Sequence, residues 1–308
     1  MIRITFLGTS ASRPTVGRNV SAVALQRGGE VFLLDCGEGT QRQMMRFGTG
    51  FSLEHIFISH MHADHYLGVT GLIRTMALQG RTELLVLCAP AGSRGTLEDA
   101  VRLGGGNRTG FPIEILELEP GQRVPRDGYD IEALAVRHGT PALGYALREH
   151  ARPGRFDVDK ARSLGVPDGP LFGKLHAGGA VEVNGRRIDP AEVVGPPREG
   201  RLVVYSGDTR PAPELVEAAA GADVLIHDAT FSEEEGDRAM ETFHSTAKGA
   251  AEVALGAGVR RLYLTHVSAR YSANPQPLER EAKEVFPGAE VAYDGLVVEI
   301  GFSPDGDE

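Results

Sequence analysis

The stretch His55-Ile56-Phe57-Ile58-Ser59-His60-Met61-His62-Ala63-Asp64-His65 contains a short apolar run that ends in three histidines and one aspartate. The apolar run at residues 56–58 predicts a buried strand. In an extended chain, residues two apart point to the same side, so His60 and His62 can face one point in space. The end of this strand is therefore a candidate site.

Asp64 and His65 follow at the predicted turn, where the chain can reverse and offer a second pair of donor groups. Imidazole and carboxylate groups are both zinc ligands. A tetrahedral catalytic ion keeps one position open and therefore uses three protein ligands. This turn offers four candidate ligands, which predicts two metal ions. The alternatives are a polar loop that holds histidines by chance and a histidine-rich tract that scavenges metal.

The composition bounds the class of protein. The chain has 308 residues, 41% of them hydrophobic and 24% charged, which is enough for one large core or two small ones. No run approaches the ~20 apolar residues of a membrane span. The first residues lack the pattern of a signal peptide, and the two distant cysteines predict neither a disulfide framework nor a cysteine zinc site. We therefore expect a cytoplasmic protein with no membrane partner.

The net charge of −10 disfavours indiscriminate nucleic-acid binding, and we expect no DNA partner. A nucleic-acid substrate stays possible, because a local basic patch and bound cations can carry the contact. Charge alone therefore does not separate an enzyme that acts on RNA from one that acts on small molecules.

Apolar runs and helical patterns recur along the chain. Strands are predicted at residues 2–7, 20–25, 31–34, 56–58, 84–88, 113–118, 131–136, 202–206, 223–226, 261–265, 290–293 and 296–300, and helices at residues 67–78, 96–103, 247–257 and 277–286. Each half has strands and then helices. This order predicts a single α/β domain over residues 1–308, with two sheets packed face to face and helices outside, a four-layer αβ/βα sandwich.

Side chains of metal-ligand type follow four of the predicted strands: His60, His138, Asp208 and His266. A packed αβ/βα sandwich gathers its site at such strand ends. Asp35 ends another strand, and we interpret it as a residue that orients a ligand histidine, with a turn residue as the alternative. We interpret His227 and Asp228 as structural residues or as supports of the ligands.

Residues 150–200 differ from the rest of the chain, because glycine and proline recur and apolar periodicity fades. This pattern predicts an inserted excursion outside the core. Residues 148–201 hold ten basic and eight acidic residues, whereas the rest of the chain holds 22 basic and 34 acidic residues. The excursion is thus the one mildly basic region, which suits phosphate contacts. The alternative is a solvated linker with incidental charge.

Several local sequences agree with one family. They are Phe6-Leu7-Gly8-Thr9-Ser10, residues 35–41, residues 59–65 with the pattern His-x-His-x-Asp-His and with Leu67-Gly68, Ser206-Gly207-Asp208-Thr209, Asp228-Ala229-Thr230-Phe231, His244-Ser245-Thr246 and residues 265–271. Together they resemble ribonuclease Z, a family of the metallo-β-lactamase superfamily. The resemblance runs nearly end to end, and it implies a zinc endoribonuclease that removes 3′ trailers from precursor tRNA.

The resemblance also implies a ligand set for two zinc ions per subunit. His60, His62 and His138 would hold one ion. Asp64, His65 and His266 would hold the other, and Asp208 would bridge the two. Two metals at about 3.5–4 Å hold a hydroxide between them and polarise a phosphoryl oxygen for in-line attack on the phosphodiester.

The leaving oxygen of such a reaction needs a proton. His244 lies outside the seven ligands and just before a predicted helix, so it is the candidate general acid. The alternative is a neighbour of the helix cap without a catalytic part. Asp64 is a candidate acceptor for the proton of the attacking water.

Contacts with precursor tRNA are a further implication. The stretch at residues 169–175 resembles the flexible tRNA-clasping arm of the family, so residues 150–200 are the expected arm, with contacts expected at Gly169, Pro170, Gly173 and Lys174. The glycines and the proline predict a bent tip with exposed backbone. The family usually forms homodimers in which each arm grips tRNA at the partner subunit's site, so a homodimer is expected here.

The loop Pro14-Thr15-Val16-Gly17-Arg18-Asn19 resembles the family pattern Pro-x-Lys-x-Arg-Asn with one departure. Arg18 and Asn19 match the pattern and are expected substrate contacts. Val16 stands where lysine is expected, and valine cannot meet acceptors near the 3′ end. We therefore predict weaker rejection of precursors that carry CCA.

Two other functions use the same residues. One is a small-molecule phosphodiesterase, or another hydrolase such as a sulfatase or lactonase, of the same superfamily. The other is a metal-binding RNA chaperone or scaffold without turnover. The predicted arm argues against the first, because a small substrate needs no clasp. The complete ligand set with His244 argues against the second.

Overall fold

The computed structural model describes residues 1–105 and 109–302. The chain divides into two compact units. The larger unit comprises Met1–Arg126, Asp130–Leu147 and the chain from Arg201 onward, and the smaller comprises Asp127–Tyr129 and Arg148–Gly200. No helix within the described ranges is both long enough and apolar enough to cross a membrane.

Short strands and short helices make up most of the chain. The strands are β1 (Ile2–Gly8), β2 (Ala22–Arg27), β3 (Glu30–Leu34), β4 (Leu53–Phe57), β5 (Leu85–Pro90), β6 (Ile113–Leu118), β7 (Arg123–Arg126), β8 (Tyr129–Ala135), β9 (Leu143–Glu149), β10 (Val181–Val183), β11 (Arg186–Ile188), β12 (Leu202–Tyr205), β13 (Val224–Asp228), β14 (Leu262–Thr265), β15 (Ala289–Val291) and β16 (Val297–Ile300). The helices are α1 (Thr40–Phe47), α2 (Ala63–Tyr66), α3 (Gly68–Leu78), α4 (Arg94–Leu103), α5 (Val158–Ser163), α6 (Pro170–His176), α7 (Pro213–Ala218), α8 (Gly236–Glu241), α9 (Ala247–Ala257) and α10 (Gln276–Val285).

Two seven-stranded sheets form the frame. The first has the order β16-β1-β2-β3-β4-β5-β6, and the second has the order β15-β14-β13-β12-β9-β8-β7. In the first sheet β3, β4, β5 and β6 pair in parallel, and in the second β12, β13, β14 and β15 do so. Parallel neighbours end at one edge of their sheet, so the loops after β4, β12, β13 and β14 can bring side chains together.

The two sheets pack face to face, with helices on the outer faces. Between the sheets, the ring centroids of Phe57 and Tyr145 lie 5.2 Å apart, and those of Phe6 and Tyr263 lie 5.7 Å apart. One outer core joins the first sheet to α1, α3 and α4, and another joins the second sheet to α7, α9 and α10. The predicted four-layer αβ/βα sandwich is therefore confirmed.

Most predicted elements are present, with bounds that differ by a few residues. The helix predicted at residues 247–257 is α9, and the hydroxyl of Thr246 caps it by accepting from the Gly249 N–H at 3.0 Å. Helix α1 was not predicted, because its residues Thr40–Phe47 are mostly polar and follow a glycine-rich turn. Packing against β1 and α3, rather than helix propensity, stabilises that segment.

The smaller unit is more regular than the sequence pattern predicted. It contains α5, α6 and the β10–β11 hairpin. These elements share a small apolar core made of Ala161, Val166, Leu175, Val181, Ile188 and Val193. The predicted bent tip at residues 169–173 is wrong, because Pro170 begins α6 and Gly173 lies inside it. Proline at the first helical position suits its fixed φ, which favours helix there.

Candidate metal centre

The seven predicted ligands lie together, although they come from distant parts of the chain. His60 follows β4, Asp208 follows β12 and His266 follows β14, and each of these side chains is buried. His138 lies in the loop after β8, where it is half-buried. The ends of strands from both sheets meet here, so the fold itself gathers these groups.

The first group of donors comprises His60, His62, His138 and Asp208, whose ligand atoms all lie within 4.8 Å of one another. Nδ1 of His62 is 2.9 Å from Nε2 of His60 and 3.3 Å from Nε2 of His138. The carboxylate oxygen Oδ2 of Asp208 is 3.6 Å from Nε2 of His60. Three imidazole nitrogens and a carboxylate that point at one another form a cradle for a cation.

The second group comprises Asp64, His65 and His266, again within 4.8 Å of one another. Nε2 of His266 lies 3.3 Å from Oδ2 of Asp64, and Nε2 of His65 lies 3.6 Å from the same oxygen. Oδ2 of Asp208 lies 3.3 Å from Nε2 of both His65 and His266. Asp208 therefore contacts both groups, which is the position that a bridging ligand needs.

Four of the ligand histidines are held at their other ring nitrogen. Nδ1 of His65 lies 2.7 Å from Asp35, and Nδ1 of His266 lies 2.8 Å from the Thr230 hydroxyl. Nδ1 of His60 lies 3.0 Å from the Ser59 hydroxyl, and Nδ1 of His138 donates to the Phe243 carbonyl at 3.1 Å. These partners turn each Nε2 toward the centre, as second partners of metal-binding histidines do.

Asp35 has the orienting contact that the sequence predicted. Its Oδ1 accepts from the Ser59 N–H at 2.6 Å, and its Oδ2 accepts from the Tyr205 hydroxyl at 2.6 Å besides contacting His65. All of these groups are buried. The carboxylate is thus fixed from several sides, which fixes the plane of the His65 ring.

His65 provides the test of whether the residues fit a metal. Its Nε2 is buried and has no hydrogen-bond partner in the part of the chain that the structure describes. Burial would lower the pKa of His65, but the carboxylates of Asp208 and Asp35 raise it well above the ordinary value. A cation at Nε2 would compete with that proton and would satisfy the unpaired nitrogen. The donor set therefore fits divalent cations.

Two glycines let the ligand loop lie close to the turn after β3. A Cβ on Gly68 would come within 2.0 Å of the Gly37 carbonyl oxygen, and a Cβ on Gly37 would come within 2.3 Å of the Asp64 carbonyl oxygen. The Cys36 N–H donates to the His65 carbonyl at 2.7 Å across the same contact. Larger residues at either position would push the loop and its ligands out of place.

Backbone strain is concentrated at this centre. Five non-glycine residues in the described ranges have positive φ, and four of them lie here: Ser12, Asp35, Phe243 and His266. The Ser12 N–H donates to Oδ2 of Asp64 at 2.7 Å, so one strained residue holds a ligand directly. Such conformations cost about 1–3 kcal/mol each and persist where the surrounding structure enforces them.

His244 is paired with Asp228, a contact that the sequence did not predict. Nδ1 of His244 lies 2.8 Å from Oδ2 of Asp228, which also accepts from the Thr209 N–H at 3.1 Å. Burial would lower the pKa of His244, but the charge and hydrogen bond of Asp228 raise it to about 9. His227 is buried, and its Nδ1 donates to the Asp228 carbonyl at 2.8 Å.

The predicted substrate contacts separate into two sets. Arg18 is 6% exposed, and its guanidinium donates to the Thr9 hydroxyl at 2.7 Å and to the Ala292 carbonyl at 2.5 Å. Both bonds use Nη1 and hold Arg18 in the fold, and its contact with the substrate stays a prediction. Asn19 is half-buried, and its side-chain amide donates to the Glu38 carbonyl at 2.9 Å. The other set, Gly169, Pro170, Gly173 and Lys174, is exposed in the smaller unit.

Several residues that hold the ligands were not predicted from the sequence. Ser59, Thr230, Tyr205 and the Phe243 carbonyl all contact ligand histidines or Asp35. Ser59 and Thr230 lie within the motifs that resemble the family, and this position was an available signal. Tyr205 and Phe243 act across the tertiary structure, and no local pattern marks them.

Family models match two parts of the chain. Residues 2–111 match the model of the anti-Pycsar protein Apyc1, and residues 180–267 match a beta-lactamase superfamily domain. Among solved structures, the human short form of tRNase Z has a TM-score of 0.70 and 26% identity, with 97% of this chain and 99% of that chain covered.

Curated relatives are more similar in sequence. A protein described as Ribonuclease Z from Gemmatimonas aurantiaca is 54% identical, over 98% of this chain and 97% of its own length. One with the same description from Haloferax volcanii is 52% identical, over 98% of this chain and 96% of its own length. Identity of this level along almost all of both chains shows that this protein belongs to the ribonuclease Z family of the metallo-β-lactamase superfamily.

Proposed function

We propose that this protein is a zinc-dependent endoribonuclease that removes the 3′ trailer from precursor tRNA. One observation carries the proposal: two groups of donors share Asp208, and beside them lies His244, whose Nδ1 is held by Asp228. Close relatives described as Ribonuclease Z support the choice of RNA as substrate.

The donor groups define which residues would hold the metal. His60, His62 and His138 would hold one ion, Asp64, His65 and His266 the other, and Asp208 both. When bound, two divalent cations polarise a phosphodiester and lower the pKa of water. Imidazole-rich donor sets with carboxylates suit zinc, which supports that ion as the cofactor.

His244 is proposed to give its proton to the leaving oxygen of the phosphodiester. Its Nδ1 is engaged by Asp228, so the proton on Nε2 remains for donation. The charge and hydrogen bond of Asp228 raise the pKa of this ring, which favours its protonated form. A general acid must carry its proton when the bond breaks, and Asp228 would ensure that.

Asp64 is proposed mainly as a ligand. Burial would raise the pKa of Asp64, but the hydrogen bond with His266 and the neighbouring histidines lower it. A carboxylate with a lowered pKa is a weak proton acceptor. We therefore rank its predicted role as acceptor for the proton of water below its role in holding metal with His65 and His266.

The smaller unit is proposed as the tRNA-binding arm. Lys160 and Lys174 are exposed, and within the described part of the chain neither side-chain ammonium group has an acidic partner. Cations without partners can meet phosphates without first breaking an ion pair. We further propose a homodimer, as the family resemblance implies.

The test is cleavage of a precursor tRNA with both new ends mapped, alongside hydrolysis of bis(p-nitrophenyl) phosphate. We expect one cut at the 3′ side of the tRNA, lost after chelation and restored by zinc. Hydrolysis of the small ester alone would select a small-molecule phosphodiesterase. RNA binding without a cut would select a scaffold, and sedimentation at several concentrations measures the oligomeric state.

A further inference from the structure

The turn before His244 holds a left-handed residue that is not glycine. Helix α8 ends at Glu241, and the His244 N–H donates to the Ala239 carbonyl at 2.9 Å across Phe243, whose φ is 62°. Glycine usually occupies this position of a helix C-terminus, because a Cβ disfavours the left-handed region. The backbone therefore gives no reason for an aromatic side chain at residue 243.

The ring of Phe243 lies at the rim of the metal centre. The residue is 36% exposed, its own carbonyl accepts from Nδ1 of His138, and the next residue is His244. Gly139 leaves room for the ring, since a Cβ there would lie 3.1 Å from Cδ2 of Phe243. An aromatic surface is thus presented beside both a proposed ligand and the proposed general acid.

Arg210 completes this surface. Its guanidinium carbon lies 3.9 Å from the centroid of the Phe243 ring. The arginine is itself held, because Nη2 donates to the Met240 carbonyl and the backbone N–H donates to the Arg137 carbonyl at 2.9 Å. The pair is therefore ordered before any substrate arrives, so little conformational entropy is lost when it is used.

We propose that Phe243 and Arg210 form a stacking platform for a nucleobase next to the scissile phosphodiester, an inference that rests on the proposed function. Unpaired RNA bases stack on aromatic rings and on guanidinium planes, and this contact tolerates any base. The platform lies beside His138 and His244, so the base that it meets belongs to a nucleotide that flanks the cut. The charge of Arg210 also favours the polyanionic strand.

Phe243→Gly tests the platform, because glycine suits the left-handed turn and only the ring is lost. The measurement is kcat/KM on a precursor RNA and on copies with one abasic nucleotide, placed first before and then after the cut. We expect kcat/KM of the variant to be about ten-fold below that of the wild type on the intact RNA. On one of the two abasic RNAs, which already lacks the stacked base, variant and wild type should have the same kcat/KM. Phe243→Tyr should keep the wild-type pattern.

Phe302→Gly is the matched control. Phe302 is 44% exposed, and the Arg201 guanidinium carbon lies 3.9 Å from its ring centroid, yet neither residue is among the proposed ligands or substrate contacts. We expect no change on any of the RNAs.

An equal loss for Phe243→Gly on intact and both abasic RNAs would overturn the platform, since damage to the fold or metal centre acts on all substrates alike. No loss on intact RNA would overturn it as well. A wild-type protein that cuts no precursor RNA would instead refute the proposed function.

Discussion

The metal centre and the smaller unit use charged groups in opposite ways. In the centre, the charged groups are largely buried, as in the contacts of Asp35 with His65 and of Asp228 with His244. In the smaller unit, exposed arginines pair with nearby acids, as in Arg162 with Asp168 at 2.8 Å. Buried networks are costly to leave unsatisfied, whereas exposed pairs contribute little and are screened by salt.

This contrast teaches where single substitutions should matter. In the centre, each side chain has one place and several partners, so removal of one group disturbs the others. In the smaller unit, the proposed tRNA contacts are spread over exposed groups, so removal of one group should have little effect. The expected effects fall from the largest, at Asp208, to the smallest, at Val16, and each tests one side of this difference.

Asp208→Ala should have the largest effect, because both donor groups lose a shared oxygen. We expect precursor cleavage to fall on the order of 10³-fold or more, since metal stabilisation of the transition state supplies several kcal/mol. Zinc per subunit, measured by elemental analysis, should fall from ~2 in the wild type. A variant with full zinc content and full activity would show that Asp208 is not a metal ligand.

His244→Ala should lower cleavage on the order of 10²–10⁴-fold while both metals stay bound. A substrate with a better leaving group should recover part of the rate, because it needs less help from a proton donor. The competing role is that of a ligand, since His244 also lies near Asp208, Asp228 and His266. Loss of zinc in the variant would show that His244 is a metal ligand and not the general acid.

Asp35→Asn tests the orienting partner without straining the backbone, because asparagine tolerates the φ of 58° found at this position. Zinc affinity, measured by competition with a chelator, should weaken about 10- to 100-fold as His65 loses its anionic partner. Tyr205→Phe is the control, since it removes one hydrogen bond to Asp35 but leaves the His65 contact. Equal effects of the two changes would contradict the orienting role.

Deleting roughly residues 155–190 should raise KM for precursor tRNA about ten-fold and flatten its salt dependence, because fewer phosphates are neutralised. Hydrolysis of a small phosphodiester should stay largely intact, because every proposed ligand lies outside the segment. Lys174→Ala leaves the small core of this unit in place and should change KM only about two-fold. Loss of both activities on deletion would mean that the segment supports the fold.

Val16→Lys should have the smallest effect on rate and should act on the position of the cut. Val16 is fully exposed, so the lysine would project freely from the loop at residues 14–19. We expect the variant to reject CCA-bearing precursors a few-fold more strongly, because the new lysine can pair with phosphates near the 3′ end of the RNA. Identical cut sites for the variant and wild type on one CCA-bearing precursor would show that the loop does not set the position of the cut.

The fold was largely predictable because its strands are apolar and bounded by turns. The run at residues 2–7 became β1, and the pattern at residues 247–257 became α9 with Thr246 as its cap. Helix α1 and the elements of the smaller unit were not predicted, because polar or glycine-rich segments carry weak periodicity. Such segments become ordered through contacts that a local pattern does not record.

The sequence by itself determined the donor types, their places after strands and the family to which the chain belongs. It did not reveal that Arg18 is buried, because a loop motif does not say which face of the loop meets the core. Only the tertiary structure decided that Asp208 contacts both donor groups and that Asp228 holds His244. The physical reason is that these contacts join residues far apart in the chain, and only the meeting of strand ends from the two sheets brings them within hydrogen-bond distance.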